Sequence, residues 1–116
     1  MKKIEAIIRP YRLDAVRDAL DRAGIEGMTV TEVYGFGREK GQSGHFRGVP
    51  YEIEFLPKLK LEISLVDALV SPAIEAIRRA ARTGHIGDGK IIVRPIAEVV
   101  HVRTGEREIT APPRAA

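Results

Sequence analysis

The sequence contains no cysteine, which excludes disulfide bonds and thiolate chemistry and is typical of a reducing compartment. It also lacks an apolar run near 18 residues, the length that a membrane-crossing helix requires. Lys2 and Lys3 resemble the start of a signal peptide, but Glu5, Arg9 and Arg12 interrupt the apolar stretch that should follow. We therefore expect a cytoplasmic protein without direct membrane insertion.

Histidines are few, and none of them suggests a metal or catalytic site. His45, His85 and His101 do not have the spacing of zinc ligands, and we recognise no Ser-His-acid set. The net charge of +3 over 116 residues is mild, and basic and acidic residues are interleaved. This charge fits local anion sites as well as it fits nucleic-acid binding. The length suits one domain and is too short for two.

The apolar periodicity predicts the order β-α-β-β-α-β with one extra terminal strand and a mobile tail from Thr104. The predicted strands cover residues 2–8, 28–34, 58–65, 91–96 and 99–103, and the first helix covers 13–23. The second helix is capped either by Asp67 or by Ser71, and in the second case Pro72 occupies the first helical position. Two helices can cover one face of an antiparallel sheet, so we expect an α+β, ferredoxin-like sandwich. Its open face, with Ile7 and Val33 among polar side chains, suggests an oligomer in which the sheets meet.

Residues 82–90 form a glycine-rich stretch that combines Gly84, Gly87 and Gly89 with Asp88 and Lys90. Such a stretch can bring backbone N–H groups close to a phosphate. Alternatively, Gly84 is a helix C-cap and the rest is an ordinary turn; taken alone, the stretch favours this second interpretation. A Walker A loop is excluded, because a helix is predicted before the stretch and a strand after it.

Residues 35–57 are too long for a plain hairpin connection, since structureless loops beyond about 12–15 residues are uncommon inside compact domains. Phe46, Arg47 and Tyr51 favour a loop that docks onto partner proteins over a tolerated disordered insertion. Arg38 beside the glycines predicts a second anion site, and Lys58 returns to the base of the loop. Along the last predicted strand, His101 and Arg103 alternate, so we expect them on one face.

Several motifs in the same order resemble the nitrogen regulatory protein PII family. They occupy residues 2–10, 28–33, 35–38, 55–58, 83–91 and 102–106, and they span nearly the whole chain. The resemblance implies a single domain over 1–116. It also implies a T-loop at about 36–56, a phosphate-binding B-loop at about 82–90 and a C-terminal loop and tail at about 101–116.

The same resemblance implies a non-catalytic homotrimer that binds ATP or ADP in the clefts between subunits. With Mg²⁺ and ATP bound, such proteins take up 2-oxoglutarate, and the T-loop then docks onto enzymes, transporters or regulators. Carried over by position, the nucleotide-binding residues are Thr29, Gly35, Gly37, Arg38, Glu62, Ser64, Gly87, Asp88, Gly89, Lys90, His101 and Arg103. The implied 2-oxoglutarate site consists of Arg9, Gly37, Glu39, Gly41, Lys58 and Gly87.

The chain departs from the family pattern at five positions, namely Glu39, Phe46, Val49, Pro50 and His101. Glu39 stands where a glutamine usually contacts Mg²⁺ and 2-oxoglutarate. Two unit charges about 4 Å apart interact by about 4 kcal/mol at an effective dielectric of about 20, which the metal and Lys58 would partly offset. We therefore expect weaker 2-oxoglutarate binding with nucleotide binding retained. His101 replaces an arginine, so nucleotide affinity should be lower or pH-dependent.

Tyr51 occupies the family's uridylylation position. Pro50 removes an N–H group and the carboxylate usual before this tyrosine, which should weaken recognition by a uridylyltransferase.

Three other functions share some of these sequence features. An RNA-binding module would share the order of elements, but it needs exposed aromatics on its central strands, where this chain has lysine, glutamate and serine. A small hydrolytic or phosphotransfer enzyme would need a positioned nucleophile or base. The third alternative is a divergent PII paralogue that senses adenine nucleotides without 2-oxoglutarate and controls a transporter or a carbon-related enzyme. The departures at Glu39 and His101 leave this alternative open.

Overall fold

The computed structural model describes residues 1–36 and 55–109, together with the backbone of 45–46 and 49–50. Its elements are β1 (Lys2–Ile8), a 3-10 helix (Pro10–Arg12), α1 (Leu13–Arg22), β2 (Thr29–Gly35), β3 (His45–Phe46), β4 (Val49–Pro50), β5 (Leu56–Leu65), α2 (Asp67–Ala81), β6 (Gly89–Pro95), β7 (Glu98–Val100) and β8 (Arg107–Ile109). Among the described residues, no helix is long and apolar enough to cross a membrane.

The main sheet has four antiparallel strands in the order β2-β5-β1-β6. The two central strands, β5 and β1, are the ones with the strictest apolar alternation. Ile4 lies opposite Ile63 on β5 and Val93 on β6, which fixes the register across the sheet. The predicted β-α-β-β-α-β order and the α+β, ferredoxin-like class are confirmed.

The hydrophobic core lies between one face of this sheet and the two helices. The largest side chains that are fully buried there are Ile4, Ile8, Val16, Leu61 and Ile77. Because strand side chains alternate with a period of two, every second residue of β1 and β5 reaches this core. The helices contribute residues at helical spacing, which is the pattern that the sequence predicts.

The opposite face of the sheet carries a network of charges. Glu5 is 9% exposed, yet its carboxylate lies 2.8 Å from Arg94 Nε and 3.6 Å from Lys60 Nζ. Lys3 Nζ lies 2.6 Å from a carboxylate oxygen of Glu62. A carboxylate with this little exposure is tolerated because cations on both neighbouring strands surround it. This face is the open one that the sequence predicts.

Helix α2 begins at Asp67 with Val66 at its N-cap, so Asp67 is the first helical residue rather than the cap, and Pro72 lies inside the helix. The carboxylate of Asp67 is 3.0 Å from the amino group of Met1 and 3.5 Å from Lys2 Nζ. These contacts tie the first helical turn to the start of β1 and lower the pKa of Asp67, chiefly through the hydrogen bond from the amino group. The alternative start at Ser71 is therefore wrong.

The prediction of a strand over 99–103 is wrong. Strand β7 ends at Val100, a turn covers 102–104, and β8 pairs back with β7. Gly105 adopts a φ of 72°, and its N–H donates to the carbonyl of His101 at 2.8 Å. His101 and Arg103 therefore belong to a hairpin turn and do not alternate along a strand, and the expected tail from Thr104 instead contains β8.

Candidate functional site

The B-loop connects the end of α2 at Ala81 to the start of β6 at Gly89, so the predicted order of helix, loop and strand is confirmed. The residue after the helix, Arg82, is already extended, with φ −70° and ψ 131°. Gly84, with φ 90°, lies two residues beyond it. The interpretation of Gly84 as the helix C-cap is therefore wrong.

Asp88 organises the B-loop through its carboxylate. One oxygen accepts hydrogen bonds from the N–H groups of Thr83 and Gly84, both at 2.8 Å. The other accepts from the Thr83 hydroxyl and, at 3.1 Å, from Arg9 Nε. Burial alone would raise the pKa of Asp88, but these hydrogen bonds outweigh burial and hold that pKa well below its usual range. The side chain of Asp88 is thus engaged within the protein.

At Gly89 the backbone of the B-loop approaches β1 so closely that no side chain fits between them. Gly89 has a φ of 113° and pairs with Ile8 across the sheet. A Cβ atom at this position would lie 1.8 Å from the carbonyl oxygen of Ile7. Gly87 also has a positive φ, 102°. These glycines let the loop turn tightly without side chains over its backbone.

Two cationic side chains connect the B-loop to the rest of the protein. Arg9 Nη2 donates to the carbonyl of Ile86 at 2.9 Å, and Lys58 Nζ donates to the carbonyl of Gly87 at 2.7 Å. Lys58 is 7% exposed, and its stem borders Gly35, where an added Cβ would lie 3.9 Å from Lys58 Cγ. The structure therefore brings together five predicted site residues, namely Arg9, Gly35, Lys58, Gly87 and Asp88.

The rings of Phe36 and Phe55 meet at the two ends of the predicted T-loop. Their centroids are 5.2 Å apart and the rings are nearly perpendicular, an edge-to-face contact. Both side chains are more than half exposed. This contact was not predicted, although an aromatic residue at each end of the predicted T-loop was a visible signal in the sequence.

The residues predicted to surround the adenine and ribose lie elsewhere on the sheet. Thr29 is directly opposite Glu62, and Ser64 follows on the same face of β5. The hydrogen bond from Lys3 lowers the pKa of Glu62, although desolvation of the carboxyl group acts in the opposite direction. At about 3.3 Å per residue, Glu62 is about 13 Å along the strand from Lys58.

The remaining predicted residues fall into two groups. His101 and Arg103 lie on the C-terminal hairpin, where His101 Nε2 is 2.9 Å from a carboxylate oxygen of Glu108. Gly37, Arg38, Glu39, Gly41 and Tyr51 lie outside the described residues, as do the side chains of Phe46, Val49 and Pro50.

A cleft of about 370 Å³ adjoins the B-loop between α2 and β6. Its apolar wall includes Ile77 and Ile91, and the cations beside it are Arg78, Arg82 and Lys90. Its size lies within the range of small-molecule sites. With three cations against one carboxylate, Asp88, the lining of the cleft carries a net positive charge.

Comparison with known proteins identifies the family. A family model described as nitrogen regulatory protein P-II matches residues 1–106. The chain is 59% identical to the nitrogen regulatory protein P-II of Azospirillum brasilense over 107 residues, which cover 92% of this chain and 96% of the relative. It is also 59% identical to the protein of the same name from Mesorhizobium japonicum over 111 residues, which cover 96% and 99%. This chain therefore belongs to the nitrogen regulatory protein P-II family.

Proposed function

We propose that the chain is a non-catalytic signal-transduction protein that binds ATP or ADP in clefts between the subunits of a homotrimer. With Mg²⁺ and ATP bound, it takes up 2-oxoglutarate. The bound ligands set the conformations of the T-loop, which regulates nitrogen-metabolism enzymes, transporters or regulators.

The observation that carries this proposal is the B-loop itself. The carboxylate of Asp88 holds the loop in shape, and Lys90 lies two residues further on, as the second residue of β6. A fixed glycine-rich backbone beside a cation is the arrangement that binds phosphate groups. In a trimer, Arg103 and His101 of a neighbouring subunit would complete the phosphate site.

The pair Arg9 and Lys58 supports a dicarboxylate site beside the phosphates. Both cations point toward the same three residues of the B-loop, and Lys58 also borders Gly35 at the base of the T-loop. Two cations suit a dianion such as 2-oxoglutarate, and carboxylate and phosphate oxygens are the ligands that Mg²⁺ prefers. Glu39 would face this metal and the dicarboxylate.

The charged, open face of the sheet supports the trimer. It carries Thr29, Glu62 and Ser64, the proposed adenine and ribose residues, and neither helix covers it. When such faces meet around an axis, a site near the face becomes a site between subunits.

The position of Lys58 suggests how ligands reach the T-loop. A ligand that rearranges residues at Gly35 and Lys58 changes the start and the end of the segment between β2 and β5. Partner proteins then select among the loop conformations that result. A coupling of about 1–3 kcal/mol between ligand and partner would suffice for regulation. Modification of Tyr51 by a uridylyltransferase would act on the same segment.

The nucleotide site is tested by calorimetric titration of the purified protein with ADP. Lys90→Gln should weaken ADP binding about 10- to 100-fold, because it removes a charge-assisted contact with the phosphates. His85→Gln is the matched control, since it changes an exposed residue of the same loop and should alter affinity less than twofold. An absence of ADP binding in the wild type, or equal affinities for wild type and Lys90→Gln, would contradict the proposal.

A second candidate function is that of a divergent paralogue that responds to adenine nucleotides without 2-oxoglutarate and controls a transporter or a carbon-related enzyme. The observation in its favour is the negative charge of Glu39 in the dicarboxylate site. The two candidates differ in whether the Mg²⁺–ATP complex of the wild type takes up 2-oxoglutarate.

A further inference from the structure

Arg9 makes two hydrogen bonds to the B-loop, a segment that is distant from it in the sequence. Its Nε donates to Asp88 and its Nη2 to the carbonyl of Ile86. The side chain is 19% exposed. Its backbone is extended, with φ −68° and ψ 139°, as the following Pro10 favours. Arg9 is therefore a well-anchored donor that spans the loop segment from Ile86 to Asp88.

Lys58 donates to the carbonyl of Gly87, the residue between Ile86 and Asp88. The oxygen atoms of three consecutive residues thus turn toward cations, namely the carbonyl of Ile86, the carbonyl of Gly87 and the carboxylate of Asp88. A trans peptide group is planar, so its N–H points away from its C=O. When the carbonyls of Ile86 and Gly87 face Arg9 and Lys58, the N–H groups of Gly87 and Asp88 must face the other way. These are N–H groups of the segment proposed to hold the phosphates.

We propose that Arg9 is a positioning residue for the phosphate site, which it builds by orienting the Ile86–Gly87 peptide group and anchoring Asp88. This inference rests on the proposed function and deepens it, because Arg9 is also a proposed ligand of 2-oxoglutarate.

The test is ADP binding by Arg9→Gln, measured calorimetrically without 2-oxoglutarate. We expect affinity to fall about 10-fold, although the dicarboxylate site is empty in this experiment. Asp88→Asn, which replaces the carboxylate that Arg9 binds, should lower ADP affinity in the same direction. Arg12→Gln is the matched control, because Arg12 lies three residues from Arg9 and its Nε donates to the carbonyl of Ala80 at 2.8 Å, outside the B-loop. Its ADP affinity should stay within twofold of the wild type.

Hydrogen exchange of the free protein gives a second readout that needs no ligand. The amides of Thr83 and Gly84 are held by Asp88, so Arg9→Gln should accelerate their exchange about 10-fold, whereas Arg12→Gln should not. Unchanged exchange at these amides would overturn the inference even if the protein binds no nucleotide at all. So would an Arg9→Gln variant that loses 2-oxoglutarate binding but keeps wild-type ADP affinity. Failure of the wild type to bind ADP, with faster exchange in Arg9→Gln, would instead contradict the proposed function.

Discussion

Replacing Gly89 with alanine should destabilise the protein by about 4 kcal/mol or more and abolish measurable ADP binding. A Cβ atom there would lie 1.8 Å from the carbonyl oxygen and 2.8 Å from the carbonyl carbon of Ile7. Both are backbone atoms of the central strand β1, so the start of β6 would have to move away and break its pairing with Ile8. A φ of 113° adds strain for any residue that has a side chain. Chemical denaturation and calorimetric titration measure the two effects.

Gly84→Ala is the matched control for this prediction. Gly84 also has a positive φ, 90°, but an added Cβ would meet no atom within 4 Å. It should therefore cost about 1 kcal/mol through backbone strain alone. If the two alanine variants had equal stability, the close approach between the B-loop and β1 would not be a constraint.

Lys58→Met should lower the affinity of the Mg²⁺–ATP complex for 2-oxoglutarate about 100-fold while changing ADP affinity less than the Lys90 substitution does. Methionine keeps the length and apolar stem of the side chain but removes the ammonium group that would bind a carboxylate. A loss of about 2.7 kcal/mol corresponds to this 100-fold change. The unfolding free energy should fall by about 1 kcal/mol, because the carbonyl of Gly87 loses the hydrogen bond from Lys58. Titration of 2-oxoglutarate into the nucleotide-loaded protein measures the effect.

Two further variants are measured beside Lys58→Met. Lys60→Met removes a lysine two residues along β5, where it lies near Glu5 and Glu62 rather than the B-loop, and should leave 2-oxoglutarate affinity within twofold. Glu39→Gln removes a negative charge from the proposed site and should raise 2-oxoglutarate affinity. Equal affinities in wild type and Glu39→Gln would contradict the account of Glu39. Equal affinities in wild type and Lys58→Met would contradict the dicarboxylate site.

The central elements of the fold were predictable because their patterns are local. Leu59, Leu61, Ile63 and Leu65 alternate with polar residues, so period two alone defines both the strand and the face that it buries. The position of the B-loop between a helix and a strand followed from the neighbouring patterns. The start of α2 did not, because the contacts of Asp67 with Met1 and Lys2 are tertiary.

The C-terminal hairpin was mispredicted for a related reason. An apolar run, Val99, Val100 and Val102, favoured a continuous strand, whereas the hydrogen bonds of a turn at Gly105 decide the backbone. The contact between Arg9 and Asp88 joins residues 79 positions apart. No periodicity reports such a contact, so the sequence did not predict that the side chain of Asp88 shapes the loop.

The most direct test of the central claim, that bound ligands control what the T-loop binds, is affinity capture of partner proteins from a cell extract. The purified protein is used once with ADP and once with Mg²⁺, ATP and 2-oxoglutarate, beside a variant lacking residues 42–52 that keeps its ADP affinity. The account predicts different captured proteins in the two ligand states and none with the shortened loop. Capture that is the same in both states, or that survives the deletion, would contradict it.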